Sequence, residues 1–122
     1  MIELIDGLPD NVIGAVASGE VSDDDYEDVL DPAIADKLTR HDKIRFLYVF
    51  NEAFEGYESD AAIEDAKLGM RTFTKWERIA VVTDSKLIGR SVAAMGFLMP
   101  GQVKWFSLGD QPAATVWVTA DD

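Results

Sequence analysis

The segment Ile44-Arg45-Phe46-Leu47-Tyr48-Val49-Phe50 constrains this chain most. After Arg45 it is apolar and aromatic without alternation, so a strand made of it needs cover on both faces, as in a parallel sheet clad in helices. Arg78 to Thr83, with Ile79-Ala80-Val81-Val82 at its centre, repeats the pattern. Around these two runs the spacing turns helical. Ser22 followed by Asp23, Asp24 and Asp25 supplies a hydroxyl cap and carboxylates for a first turn. Tyr26, Val29, Leu30, Ala33, Ile34 and Leu38 then recur at three- and four-residue spacing and predict an amphipathic helix over about 22–40. Pro32 should kink that helix, or restart it with Asp31 as a second cap. Ser59 and Asp60 can cap a second helix carrying Ile63, Leu68 and Met70 toward Thr74. Asp84 or Ser85 caps a third, with Leu87, Ile88, Val92, Ala93 and Met95, stopped by the stretch from Gly96 to Gly101.

The remaining segments complete an alternating order. Ile2 to Ile5, the turn formers Gly7-Leu8-Pro9-Asp10-Asn11, and Val12 to Ala17 read as an opening hairpin closed by Gly19. Asn51 to Ser59 reads as a loop after the buried strand, and Gln102 to Phe106 as a short strand. In the last segment Pro112 favours a helix, whereas Thr115-Val116-Trp117-Val118-Thr119 favours a strand. Strands alternating with helices after a hairpin imply one α/β domain over residues 1–122 with a mixed, mostly parallel sheet.

Charge and composition exclude several functions. The chain carries 11 basic and 23 acidic residues, a formal net charge of −12, so the basic surface that nucleic-acid binding requires is missing. With 48% hydrophobic residues, the acidity rides on a folded body. There is no cysteine, which removes disulfides, thiolate nucleophiles and Cys-based metal sites. No apolar run approaches the ~20 residues of a membrane span, and no basic, apolar leader opens the chain, so a cytoplasmic location is expected. The charge is uneven. Residues 1–66 hold 4 basic and 18 acidic side chains, whereas Lys67, Arg71, Lys75, Arg78, Lys86 and Arg90 face only Glu77 and Asp84 in residues 67–90. Lys67, Arg71 and Lys75 are four apart, so a helix through them would align a basic stripe, either a solvated face or a contact for anionic head groups.

Motifs for chemistry are sparse. His41, the one histidine, falls at the N-terminal edge of the buried strand, away from the edge where open α/β sheets hold ligands. No glycine-flanked serine elbow, dinucleotide fingerprint or phosphate loop occurs. Asp23 to Asp25 lack the alternating ligands and glycine of a calcium loop. No catalytic residue, metal site or cofactor is therefore expected. Phe54, Tyr57, Phe73, Trp76, Phe97, Met99 and Trp105 fall largely in loops or at element ends. They either close the core or furnish an adaptable apolar binding surface.

In order along the chain, I-E-L-I-D-G-L-P-D-N-V-I-G, D-Y-E-D-V-L-D-P-A-I, K-I-R-F-L-Y-V-F, G-M-R-T-F-T-K-W-E-R-I-A-V-V-T-D and G-F-L-M-P-G-Q-V-K-W-F resemble the SpoIIAA-like family of small bacterial proteins. That family belongs with the STAS and CRAL-TRIO lipid-carrier folds. The resemblance implies a five-stranded mixed sheet flanked by about four helices, the last of them near 111–119. It also implies a homodimer and a non-enzymatic module with mobile helices around an apolar cavity. The expected partners are a lipid-like or other apolar small molecule and, peripherally, the inner face of a membrane. Carried onto this chain, the ligand positions would be Phe54, Tyr57, Leu68, Met70, Phe97 and Met99, with Lys67, Arg71 and Lys75 toward the membrane. The alternative comes from the related anti-anti-sigma factors, which switch partners when a serine at a helix start is phosphorylated. Asp84-Ser85 looks superficially like that site, but it begins a different helix and lacks the accompanying serine and glycine.

Overall fold

In a computed structural model, which describes residues 1–121, the five strands pair in sequence order, β1-β2-β3-β4-β5. They are β1 (Ile2–Ile5), β2 (Val12–Val21), β3 (Ile44–Tyr57), β4 (Trp76–Val82) and β5 (Gln102–Phe106). β1 pairs antiparallel with β2, and the other pairings are parallel. The helices are α1 (Asp31–Leu38), α2 (Ser59–Arg71), α3 (Lys86–Gly96) and α4 (Gln111–Thr119). Each step from β2 to β5 moves one strand along in the same direction, so crossovers of one hand put α1, α2 and α3 on one face. Tyr26, Leu30 and Ile34 from the first helical segment, and Ala61 and Leu68 from α2, share a core with Phe46, Tyr48, Phe50 and Trp76 of the sheet. α4 alone meets the other face, where Ala114 and Val118 pack on Leu47, Val49, Ala80 and Val82. The final segment is thus a helix, as the resemblance implies.

Two arginines punctuate the apolar strands, and both reach the C-terminal end of α4. Arg45 and Arg78 are partners in the β3–β4 register and are both buried. Arg45 donates to the Val118 carbonyl at 3.1 Å and pairs with Glu77. Arg78 donates to the Trp117 carbonyl at 2.9 Å. Both guanidinium groups therefore meet the unpaired carbonyls, and the negative dipole end, of α4.

Three expectations need correction. First, residues 51–59 are not a loop: β3 runs on to Tyr57 because β2 continues past Ala17 to Val21 and pairs with it. The register shifts at Gly19, whose φ of +60° favours glycine, so this residue bends the ladder without ending it. Second, the first helix opens with a π-helical turn, Asp25–Leu30. The Asp31 N–H reaches back to the Tyr26 carbonyl, and Pro32, which has no N–H to give, sits in the first turn of α1. Ser22 keeps its predicted place, exchanging hydrogen bonds with Asp25. Third, α2 stops at Arg71 and a 3-10 turn, Phe73–Lys75, leads into β4 at Trp76. Lys75 is consequently off the helix, and the basic stripe on α2 consists of Lys67 and Arg71.

Candidate functional site

The helix-clad face of the sheet carries a run of aromatic rings. Phe46, Tyr48 and Phe50 alternate along β3 and so point to one side, where they stack at 4.8 and 4.4 Å between centroids. Trp76 of β4 stacks on Phe46 at 5.4 Å. Beyond the register shift, Phe54 and Tyr57 fold back edge-on to Phe50 and to each other.

Three phenols and one carboxylate converge within this apolar layer. The hydroxyl of Tyr26 lies 2.9 Å from that of Tyr48 and 3.3 Å from that of Tyr57, and Tyr48 and Tyr57 are 3.4 Å apart. Tyr26 also reaches Asp65 Oδ1, at 2.9 Å. Asp65 is on α2 and is exposed as a residue, but this oxygen turns inward. Burial raises the pKa of Tyr26 and of Tyr48 far above the ordinary phenol value, and that of Tyr57 to about 12. All three stay protonated and act as donors. Desolvation also raises the pKa of the Asp65 carboxyl, and the hydrogen bond from Tyr26 only partly offsets it. The cluster thus offers phenolic donors, aromatic walls and one acceptor supplied from α2.

α2 is lightly held over this cluster. It buries only Ala61 and Leu68. Its C-terminal Arg71 pairs with Asp31 at 3.5 Å, yet the second oxygen of Asp31 is buried without a hydrogen-bond partner. α3 is held mainly at its edge: Gly89 is its buried residue, seated against the Trp105 indole, while Ile88 and Val92 are partly covered.

The residues predicted for a ligand divide into two groups. Phe54, Tyr57, Leu68 and Met99 all join the aromatic core, Phe54 and Tyr57 from β3 and not from a loop. Met70 and Phe97 face outward, 82% and 93% exposed. Lys67 pairs with Glu64 at 3.5 Å across one helical turn, Arg71 with Asp31, and Lys75 is exposed. Periodicity places Tyr26 and Tyr48 in the core and singles out nothing at Asp65. These residues lie 22 and 39 positions from Tyr26, so only the tertiary arrangement brings them together.

Other candidate spots are structural. His41 Nε2 meets Asp10 Oδ2 at 2.6 Å, and Arg40 and Lys37 converge on the same residue, tying the end of α1 to the hairpin turn. Asp23, Asp24 and Glu27 bring carboxylate oxygens within 4.8 Å of one another at the helix start, where acidic groups favour the dipole. Ser85 accepts from the Ile88 N–H at 3.3 Å as the cap of α3. Two surface hollows, of about 200 and 390 Å3, lie away from the tyrosines, one by the hairpin (Leu8, Val12, Lys37) and one between the middle of β3 and the start of α4 (Asn51, Leu108, Gln111). No helix among the described residues is long and apolar enough to cross a membrane.

Comparison with known proteins agrees with this architecture. No curated protein matches the chain. A solved structure, that of an uncharacterized protein with a SpoIIAA-like fold from Shewanella loihica PV-4, superposes with a TM-score of 0.75 at 24% identity, covering 97% of this chain and 92% of that one. At that identity the likeness establishes the fold. The family model described as SpoIIAA-like matches residues 12–119, which span all four helices and every strand but β1. The chain belongs to the SpoIIAA-like family.

Proposed function

We propose that this protein is a non-catalytic binding module that takes up an apolar or lipid-like small molecule beneath α2 and α3, and that the same side makes a peripheral membrane contact. The observation that carries this reading is the distribution of exposed apolar side chains. Of eleven large ones among the described residues, seven fall between residues 63 and 98, including Met70, Leu87, Phe97 and Leu98. A small domain gains nothing in stability from holding such groups in water, and concentrated apolar exposure ordinarily marks a binding surface. The same stretch contains Lys67, Arg71, Lys75, Lys86 and Arg90, the basic sector of an otherwise acidic chain. Apolar side chains with flanking cations suit an anionic, apolar-cored partner.

The test is sedimentation with anionic lipid vesicles. Weak binding is expected, and it should fall as salt rises from about 50 to about 300 mM and the Debye length shrinks well below ~10 Å. The triple variant Lys67→Gln, Arg71→Gln, Lys75→Gln should lose most of this binding with little change in thermal stability, since these charges are exposed. Phe97→Ser with Met99→Ser should reduce a salt-resistant remainder. Binding that ignores salt and survives the triple substitution would count against the membrane contact. The alternative of a phosphorylation-controlled partner switch would act through Ser59 or Ser85. It is distinguished by phosphopeptide mapping of protein from its native cells, where phosphate on either serine with a bound protein partner would displace the ligand reading.

A further inference from the structure

We propose that Asp65 occupies the head-group position of the ligand, and that the ligand is an amphipathic monocarboxylic acid whose carboxyl takes Asp65's place on the Tyr26 hydroxyl while its chain lies along Phe50 and Phe54 beneath a displaced α2. This inference rests on the ligand-binding reading above and gives that ligand a chemical class.

Three phenols bring three O–H donors into an apolar layer, and each needs an acceptor. With Asp65 in place the chain of donation drains outward: Tyr57 donates to Tyr48, Tyr48 donates to Tyr26, and Tyr26 donates to Asp65. If Asp65 leaves, the three hydroxyls can close a ring, Tyr26 to Tyr57 to Tyr48 and back, over the same 3.3, 3.4 and 2.9 Å separations. No buried donor is orphaned in either arrangement. The cluster therefore tolerates the departure of its carboxylate, as a binding position must and as a purely structural ion contact need not.

The carboxylate is also an odd structural choice. The phenols complete one another without it, and a charged oxygen turned inward loses hydration. What holds it there is a helix with two buried side chains. Directly beside the hydroxyls, Phe50, Phe54 and Tyr57 present ring faces and edges suited to an alkyl or aryl chain. Exchange of Asp65 for an incoming carboxylate leaves the charge at the tyrosines unchanged, so the acidity of the rest of the chain adds little to the local cost. An ammonium head can only donate and so gives the Tyr26 O–H no acceptor in place of Asp65, and an alcohol accepts a weaker hydrogen bond than a carboxylate.

The test compares a medium-chain fatty acid with the alcohol and the amine of the same chain length, by calorimetry on the full chain. The acid should bind about 10-fold or more tighter than the alcohol, the ratio that one charge-assisted hydrogen bond supplies, and the amine weakest. Asp65→Ala removes the internal competitor and should tighten the acid several-fold. Tyr26→Phe should abolish the acid's advantage while alcohol binding persists. Tyr57→Phe, at the half-buried edge of the cluster, gives the same direction of change should the Tyr26 variant fold poorly. Equal binding of acid and alcohol by the unaltered protein, or an acid preference that survives both tyrosine variants, overturns the head-group assignment and leaves the ligand reading standing. No binding of any of the three overturns both.

Discussion

Asp65 is where a single residue departs most from what stability alone would select. Its carboxyl has a raised pKa in the folded protein, because desolvation outweighs the bond from Tyr26. A carboxyl that holds its proton more tightly when folded favours the fold at acid pH, and that contribution is lost as pH rises through the raised value. At neutral pH the charge therefore opposes folding. Asp65→Asn keeps an oxygen to accept from Tyr26 and removes the charge, so it should raise Tm at pH 7 by a few degrees at most. The gap between the two proteins should close as pH is lowered toward the ordinary carboxylate range. A lower Tm for the Asn variant at pH 7, read by differential scanning calorimetry, would contradict this. Such a residue is hard to find in a sequence. With 23 carboxylates in 122 residues nothing marks this one, and Tyr26 and Tyr48 look like ordinary core aromatics until the fold brings their hydroxyls together. Phe54 and Tyr57, by contrast, attract notice as aromatics near an element end, and they do border the cluster.

At the scale of elements, what could be read from the chain depended on whether a local rule or a pairing partner decided it. The caps at Ser22 and Ser85 and the apolar runs at 44–50 and 79–82 are local signals, and the structure follows them; Pro32 takes the first turn of α1 as well, but Asp31 is already helical and does not cap it. The continuation of β3 through Asn51 to Tyr57 is not local. Its residues are polar and glycine-containing, and they are extended because β2 lies alongside. The end of α2 at Arg71 likewise answers to the turn at Thr72, whose hydroxyl donates to the Leu68 carbonyl and accepts from the Trp76 indole N–H. α3 gives the sharpest test of packing. A Cβ at Gly89 would overlap the Trp105 indole, which is pinned by its N–H bond to the Thr83 carbonyl at 2.9 Å. Alanine gains up to ~1 kcal/mol in helix propensity, but overpacking costs typically about 1–3 kcal/mol. Gly89→Ala should therefore destabilise the protein by about 1 kcal/mol or more in urea unfolding. An unchanged or higher midpoint would show that α3 does not depend on this close approach.

The whole molecule sets three helices against one face of the sheet and one against the other, and the two faces differ in kind. Under α4 the core is small and aliphatic, closed by two buried arginines on the helix end. Under α1, α2 and α3 it is aromatic, holds the three phenols and the Asp65 carboxylate, and is roofed by helices that leave Met70, Leu87 and Phe97 in water. The alternation of strands and helices made the α/β class and mostly parallel sheet legible from sequence, but not this asymmetry, which follows from the unbroken strand order. On the proposed function, the aromatic face holds an apolar ligand. Native mass spectrometry of gently purified protein, followed by organic extraction, tests it most directly. The expected result is a mass above that of the bare chain, the difference released on extraction as a lipid or fatty acid. A bare mass that stays unchanged when the protein is challenged with a panel of lipids and fatty acids would contradict it.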